Sequence, residues 1–164
     1  MAAHIENEVL IGAPVDLTWR LANDIEHWPD LFGEYASVRL LHRDGAASRF
    51  RLTAPPDARG RELSWMLEQL SRPARRTVHA RRIGPGPLEQ LSVRWCCTGI
   101  GGVATRLLWI QDFTTRPDTP VDDAAMMSHL DFGASTRLDL LRRRIESVAR
   151  AERLTGGGSH GGTP

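Results

Sequence analysis

The stretch ELSWMLEQL, residues 62–70, decides the kind of structure that this chain forms. Read with a period of two, it places Leu63, Trp65, Leu67 and Gln69 on one face of an extended strand. Three of these side chains are bulky and apolar, so the face is predicted to be buried. A glutamine at the end of such a face is unexpected, because its amide is costly to bury without hydrogen-bond partners.

Composition limits the classes of protein to be considered. The chain has 164 residues with 21 basic and 20 acidic side chains, and every basic residue is arginine. This length and balance predict one domain over residues 1–154, with no nucleic-acid or membrane partner. The first residues do not resemble a signal peptide, and no apolar run approaches the ~20 residues that span a bilayer. We therefore expect a cytoplasmic protein.

Other segments share the strand character of the opening stretch. The first predicted strand is followed by two short helices that begin near Pro14 and Asn23. Turn signals such as Asp44-Gly45 and the GIGG at 99–102 separate the later strands, which indicates one antiparallel meander. The predicted strands are 5–12, 36–43, 48–54, 61–70, 75–83, 88–99 and 104–115.

Residues 121–153 have a helical pattern instead. Their apolar side chains form one stripe, which predicts a helix on the order of 45–50 Å long, interrupted, if anywhere, near Gly133. The glycine-rich tail, 155–164, is expected to be disordered. The fold class is α+β, with the long helix filling the concave face of the sheet and leaving an interior cavity. The stripe consists of Leu130, Ala134, Leu138, Leu141, Ile145 and Val148.

Metal and cofactor chemistry have no motif in the sequence. Cys96 and Cys97 are adjacent in a predicted strand and point to opposite faces, which excludes a disulfide framework or a CxxC site. No histidine or carboxylate spacing is typical of a metal site. GIGG joins two strands rather than a strand and a helix, so it is not a dinucleotide loop. We predict no metal and no cofactor.

Several short segments of the sequence resemble the first-ring aromatase/cyclases of bacterial aromatic polyketide synthesis, notably the tetracenomycin and spore-pigment enzymes. The most specific segment is NDIEHWPDLFGEYA at 23–36; AP at 13–14, FRL at 50–52, PDARGR at 56–61, RTVHARR at 76–82, GP at 86–87 and QDF at 111–113 also match. The resemblance implies the helix-grip fold (START-like, Bet v 1-like), with a seven-stranded antiparallel sheet around the long helix.

The resemblance also implies an activity. Such enzymes receive a poly-β-ketone tethered to an acyl carrier protein of a minimal polyketide synthase. They promote an aldol condensation and a dehydration that close the first aromatic ring. Chain length, ring register and oligomeric state stay open. The alternative is a START-like protein that binds a hydrophobic ligand, or acts like a chaperone, without chemistry of its own.

The predicted substrate-binding wall comes from strand parity and from the short helices. Aromatic side chains offer rigid surface for a flat conjugated product. The alternative is that these residues form an ordinary hydrophobic core. The residues assigned to the wall are Trp28, Phe32, Tyr35, Trp65, Leu67, Arg82, Trp95, Trp109 and Phe113.

Three polar residues are the candidate catalytic groups. The family position matching Gln69 is normally an arginine that binds substrate carbonyl oxygens, whereas an amide carries no charge. Arg137, on the inward stripe of the long helix, is the predicted replacement, unless it only snorkels at the edge of the stripe. Gln111 shares an inward face with Trp109 and has either a substrate or a structural role. Arg82 is a second candidate cation, expected to pair with Glu34.

Overall fold

The computed structural model describes residues 2–84, 88–119 and 122–156. Its strands are β1 (Ala2–Ile11), β2 (Ser37–Asp44), β3 (Ala47–Thr53), β4 (Ser64–Arg72), β5 (Thr77–Ile83), β6 (Leu88–Ile100) and β7 (Ala104–Thr115). Its helices are α1 (Val15–Ala22), α2 (Trp28–Leu31) and α3 (Asp123–Gly156). A single 3₁₀ turn (Ile25–His27) precedes α2, and another (Pro73–Arg75) precedes β5.

The strands form one antiparallel sheet, as the turn signals predicted. Its order is β1-β7-β6-β5-β4-β3-β2, so each strand after the first two helices pairs with the next strand along the chain. The chain reverses at Gly45 (φ 56°) and at Gly101 and Gly102 (φ 59° and 73°), left-handed conformations that glycine adopts without steric cost. The α+β helix-grip architecture is confirmed.

The opening strand begins later than its sequence pattern indicates. β4 starts at Ser64, and Leu63 is 42% exposed, so the prediction that Leu63 belongs to the buried face was wrong. The Asp57 carboxylate accepts hydrogen bonds from the backbone N–H groups of Arg59 (2.8 Å) and Arg61 (2.9 Å). The turn ends at Arg61, and β4 begins only at Ser64, so the period-two rule does not apply to Leu63.

Helix α3 is continuous through Gly133 and has 34 residues, about 51 Å at 1.5 Å per residue. The predicted interruption is therefore absent within Asp123–Gly156. Thr155 and Gly156 were assigned to the disordered tail but belong to the helix, where the Thr155 hydroxyl donates to the Glu152 carbonyl (3.1 Å). Residues 157–164 lie outside the described part of the chain.

The core lies between the concave face of the sheet and the apolar stripe of α3. Ala134, Leu138, Leu141 and Ile145 are buried as predicted, the partly buried Leu130 and Val148 pack against the core, and Ala149 is also buried. The inward faces of β6 and β7 also follow the predicted parity. Within residues 2–84, 88–119 and 122–156, no helix is apolar over enough length to cross a bilayer. The buried inward residues of these two strands include Val93, Trp95, Cys97, Leu107, Trp109, Gln111 and Phe113.

Candidate functional site

Six aromatic side chains form a connected cluster between the sheet and the helices. Trp65 contacts Tyr35 (centroids 6.0 Å apart), and Tyr35 stacks on Trp28 (5.9 Å). Trp28 in turn contacts Trp95 (6.2 Å). The strands place Trp65 and Trp95, whereas Trp28 and Tyr35 come from α2 and the segment after it. The cluster, which we call the aromatic cluster, comprises Trp28, Phe32, Tyr35, Trp65, Trp95 and Trp109.

The centre of the aromatic cluster is a pair of stacked indoles. The Trp95 and Trp109 rings are 4.8 Å apart with 13° between their planes. The Trp95 indole N–H donates to the Asn23 side-chain oxygen at 3.1 Å, which ties β6 to the end of α1. Asn23 was expected only to begin a second helical piece, so its role as an indole acceptor is a feature that the sequence pattern did not indicate.

Two guanidinium groups lie at the ends of the aromatic cluster. The Arg82 guanidinium is 4.6 Å from the centroid of the Trp65 ring. The Arg137 guanidinium is 5.4 Å from the Trp109 centroid and 5.8 Å from that of Phe32. Cations over aromatic faces are stabilised by the ring quadrupole. The cluster thus combines an aromatic, apolar surface with two positive charges.

Arg137 is buried rather than snorkelling, since its side chain is only 12% exposed. Its Nη2 and Nε donate to the same oxygen of Glu34, at 2.6 and 3.0 Å. Glu34 therefore pairs with Arg137, and the prediction that it pairs with Arg82 was wrong. Arg82 is on β5, and its guanidinium lies over Trp65 of the adjacent strand β4. Arg137 is on α3, next to the segment that carries Glu34.

The Tyr35 phenol interacts electrostatically with both guanidinium groups. Burial raises the pKa of the Tyr35 phenol, and the positive charges of Arg137 and Arg82 oppose that rise without cancelling it. Burial also acts to lower the pKa of Arg137, but Tyr35 and Glu34 outweigh it and the net pKa is raised. Near neutral pH the phenol is therefore protonated and the Arg137 guanidinium charged, so both groups are hydrogen-bond donors.

Gln69 and Gln111 lie in one cross-strand row of the inward face. The row passes from Gln69 through Ala80 and Val93 to Gln111. Three strand spacings separate the two amides, about 14 Å measured along the sheet. Both glutamines are buried, at 9% and 4% exposure. The structure therefore places Gln111 beside Trp109 and the Arg137 end of the aromatic cluster, and Gln69 nearer the opposite edge of the sheet.

Five buried side-chain polar atoms lack partners among the described residues. They are the hydroxyl oxygen of Thr18 on α1, the indole nitrogens of Trp28 and Trp109, and the amide oxygens of Gln69 and Gln111. A buried polar atom without a partner costs free energy, so native structures contain few of them. The two indole donors and two amide acceptors are on the elements that surround the aromatic cluster, and their chemistry is complementary to carbonyl and hydroxyl oxygens.

Openings lie at each end of the aromatic cluster. At the Arg82 end, β5 and β6 separate beyond the Arg81–Ser92 pair, and a cleft of about 610 Å³ includes Arg82, Leu91 and Phe113 in its lining. At the Arg137 end, a smaller gap of about 200 Å³ lies between Phe32 and Glu34 on one side and α3 on the other. The expected interior cavity is thus occupied in the middle by the aromatic side chains themselves.

Most of the predicted wall residues meet in this arrangement. Leu67 is buried on β4, opposite Arg82. Phe113 lies apart, in a second apolar group with Ile5, Leu88 and Met126. Phe132, which was not predicted, is 75% exposed and lies at the rim of the smaller gap. Its only sequence signal was an apolar residue on the polar side of the helical stripe.

Other candidate sites give no further chemistry. The described residues contain no cluster of three potential metal ligands. Arg142 and Arg143 are both paired with Asp139 on the same helix, at 2.7 and 3.0 Å. Burial, with a smaller effect from Cys96, raises the pKa of the Cys97 thiol to about 12, which keeps it protonated and unreactive.

The fold and this interior define a helix-grip protein with an aromatic core, a few buried polar groups and a cleft at each end of the aromatic cluster. Residues 2–159 match the family described as "Polyketide cyclase / dehydrase and lipid transport", and the chain belongs to that family.

Individual relatives agree with this membership. A putative polyketide cyclase of Streptomyces cyaneus is 43% identical over 149 residues, which cover 91% of this chain and 97% of that protein. The crystal structure of the Zhui aromatase/cyclase of Streptomyces sp. R1128 superposes with a TM-score of 0.76 at 25% identity, covering 96% of this chain and 99% of that one. A START superfamily protein of Mycobacterium smegmatis shares the fold (TM-score 0.63, 16% identity, 90% and 97% covered).

Proposed function

We propose that this protein is a polyketide cyclase that closes and aromatises the first ring of a poly-β-ketone without a cofactor. The observation that carries the proposal is the set of buried donors and acceptors in and around the aromatic cluster that have no partner among the described residues. A poly-β-ketone alternates carbonyl oxygens with acidic methylenes, and its enol form adds hydroxyl donors. Such a chain can satisfy Trp109 Nε1 and the glutamine oxygens at the same time.

The residues divide the work of the reaction. The indole and phenol rings hold the chain in one folded conformation and keep water away, which is proximity catalysis. A methylene transfers a proton to a bound water, the resulting enolate carbon bonds to a ketone carbon, and the ketone oxygen becomes an alkoxide. Arg137 and the Tyr35 hydroxyl are the donors that stabilise negative charge on oxygen in this proposal. The alkoxide takes the proton back, water is lost as hydroxyl and an adjacent hydrogen, and enolisation of the remaining ring ketones gives the aromatic ring.

The glutamines have the role of orienting groups in this proposal. Gln111 lies two residues from Trp109 on the same face of β7, so the two side chains address neighbouring oxygens of the bound chain. Gln69 binds an oxygen farther along the chain, toward Arg82. Because Gln69 is neutral where the family resemblance implies an arginine, the positive charge is supplied by Arg137 from the helix side. The substrate reaches the site on an acyl carrier protein in the cytoplasm, where the synthase works.

A second candidate function is ligand binding without chemistry. One observation favours it: Glu34 already accepts hydrogen bonds from two N–H groups of Arg137, which leaves fewer for a substrate. In this role the protein would hold a finished hydrophobic ring system, as START-like proteins hold ligands. It would change the solubility of that ring system but not its covalent structure.

Reconstitution distinguishes the two functions. The purified protein is combined with a minimal polyketide synthase, its carrier protein and malonyl-CoA, and the products are profiled with and without it. A shift from mixed spontaneous products to one regiospecific aromatic product supports the cyclase. An unchanged product profile with a folded protein, across synthases of several chain lengths, supports ligand binding alone.

A further inference from the structure

The smaller gap at the Arg137 end of the aromatic cluster has a glycine on each side. It lies between the segment Phe32, Gly33 and Glu34 and the helix residues Phe132, Gly133 and Arg137. A Cβ atom at Gly33 or at Gly133 would meet nothing within 4 Å, so no neighbouring side chain covers either glycine. The exposed Phe132 ring at its rim gives an apolar surface just outside.

The ion pair of Glu34 and Arg137 crosses this gap. Glu34 is 48% exposed at the outer end, whereas Arg137 is 12% exposed and reaches inward to Trp109 and Phe32. The pair therefore connects the segment after α2 to α3 and connects solvent to the aromatic cluster. Because Glu34 is half-exposed, its carboxylate is partly screened by salt, whereas the buried Arg137 needs another acceptor when the pair opens.

Opening this pair changes the chemistry of the interior as well as access to it. A guanidinium has five N–H groups, and Glu34 accepts from two of them on one edge. When the carboxylate moves outward, that edge becomes free to donate to a ligand oxygen. A ligand carbonyl that enters here can therefore replace Glu34 as the acceptor.

We propose that this gap is the route by which the ligand reaches the aromatic cluster, and that the Glu34–Arg137 ion pair is its gate. The inference rests on the proposed function only in requiring that the interior binds a ligand. Glu34 is then a positioning residue, because it acts through Arg137. The rival route is the 610 Å³ cleft between β5 and β6 at the Arg82 end.

Stopped-flow tryptophan fluorescence tests the gate with a neutral probe, 1,8-dihydroxyanthraquinone. Glu34→Gln keeps the shape of the side chain and removes its charge, so we expect association about fivefold faster than in the parent protein. Association of the parent should also accelerate with added NaCl, and this salt dependence should disappear in Glu34→Gln. The matched control is Glu152→Gln, which removes a surface ion pair between α1 and α3 (Arg20–Glu152, 3.1 Å).

A second variant blocks the route instead of opening it. Gly133→Leu adds a side chain to the open space at the gap and raises helix propensity, so the protein should fold. We expect association at least tenfold slower. Equal rates in the parent, Glu34→Gln and Gly133→Leu would overturn the gate, as would slowing by Leu91→Trp in the other cleft but not by Gly133→Leu. If no folded variant shows saturable quenching, the interior site itself is wrong and the proposed function falls with the gate.

Discussion

Trp95 on β6 and Trp109 on β7 lie directly opposite each other in the sheet, and their rings stack 4.8 Å apart. One member of the pair is hydrogen-bonded through its indole nitrogen to Asn23, and the other has no partner among the described residues. The two tryptophans are cross-strand neighbours but differ in the hydrogen bonding of their indole nitrogens. The first anchors the fold, and the second offers a free donor to the interior.

Trp95→Ala should therefore be strongly destabilising. It removes a ring that is 2% exposed, its stacking on Trp109 and its bond to Asn23, and loss of a buried tryptophan typically costs about 3–5 kcal/mol. Urea unfolding followed by circular dichroism measures the change. Trp19→Ala, at a half-buried tryptophan of α1, is the control and should cost less. Equal losses would contradict the anchoring role of Trp95.

Gln111→Met should separate stability from function. The amide oxygen of Gln111 has no partner within the described chain, so an apolar side chain of similar length should leave the free energy of unfolding unchanged or raise it by about 1 kcal/mol. Formation of the regiospecific product should fall at least tenfold. The exposed Gln90→Met is the control for both assays. A large loss of stability in Gln111→Met would show that the amide supports the fold instead.

Arg137→Gln should lower cyclised product by about 100-fold, the usual cost of removing one donor that stabilises developing oxyanion charge. Arg137→Lys keeps the charge but loses the planar fork and should recover only part of the activity. Arg142→Gln, on the same helix but paired with Asp139, is the control. Full activity of Arg137→Gln together with loss of activity in Gln69→Met would place the essential donor on β4.

The two adjacent cysteines should differ in reactivity. Cys97 is buried, and its pKa of about 12 leaves a thiolate fraction of roughly 10⁻⁴ at pH 8, while Cys96 is partly exposed on the outer face. Native protein treated with iodoacetamide should incorporate one equivalent, located at Cys96 by peptide mapping. Cys96→Ser should incorporate none until the protein is unfolded. Rapid labelling of native Cys96→Ser would mean that the interior opens to solvent.

Stability should depend on pH through His4. Hydrogen bonds to Asp112 (2.5 Å) and then Glu6 (2.9 Å) raise the pKa of this histidine above its ordinary value. A raised folded pKa stabilises the protein fully below the unfolded pKa, about 6.5, and the contribution is lost as pH rises through the folded value. The urea midpoint of His4→Gln should therefore lie below that of the parent at pH 6 and approach it at pH 9. A gap that stays constant with pH would assign the effect to packing.

Much of the fold could be predicted from local patterns. Alternation along β6 and β7 placed Trp95, Trp109 and Gln111 inward, and the stripe on α3 identified Leu138 and Leu141 as core residues. These rules work because a strand or helix has a fixed period, so a residue's face follows from its position alone. The rules do not apply beyond the ends of an element. Leu63 was assigned to the wrong face because it lies just before β4.

Which side chains come into contact depends on the tertiary structure alone. Periodicity along the chain specifies an inward glutamine at 69, an inward arginine at 137 and an aromatic lining between them. Only the folded chain pairs Glu34 with Arg137, 103 residues away, and leaves the Trp109 indole nitrogen and the two glutamine oxygens without partners among the described residues. The physical reason is that a period specifies the face on which a side chain lies. Its partner depends on how separately formed elements approach one another, and no local pattern records that distance.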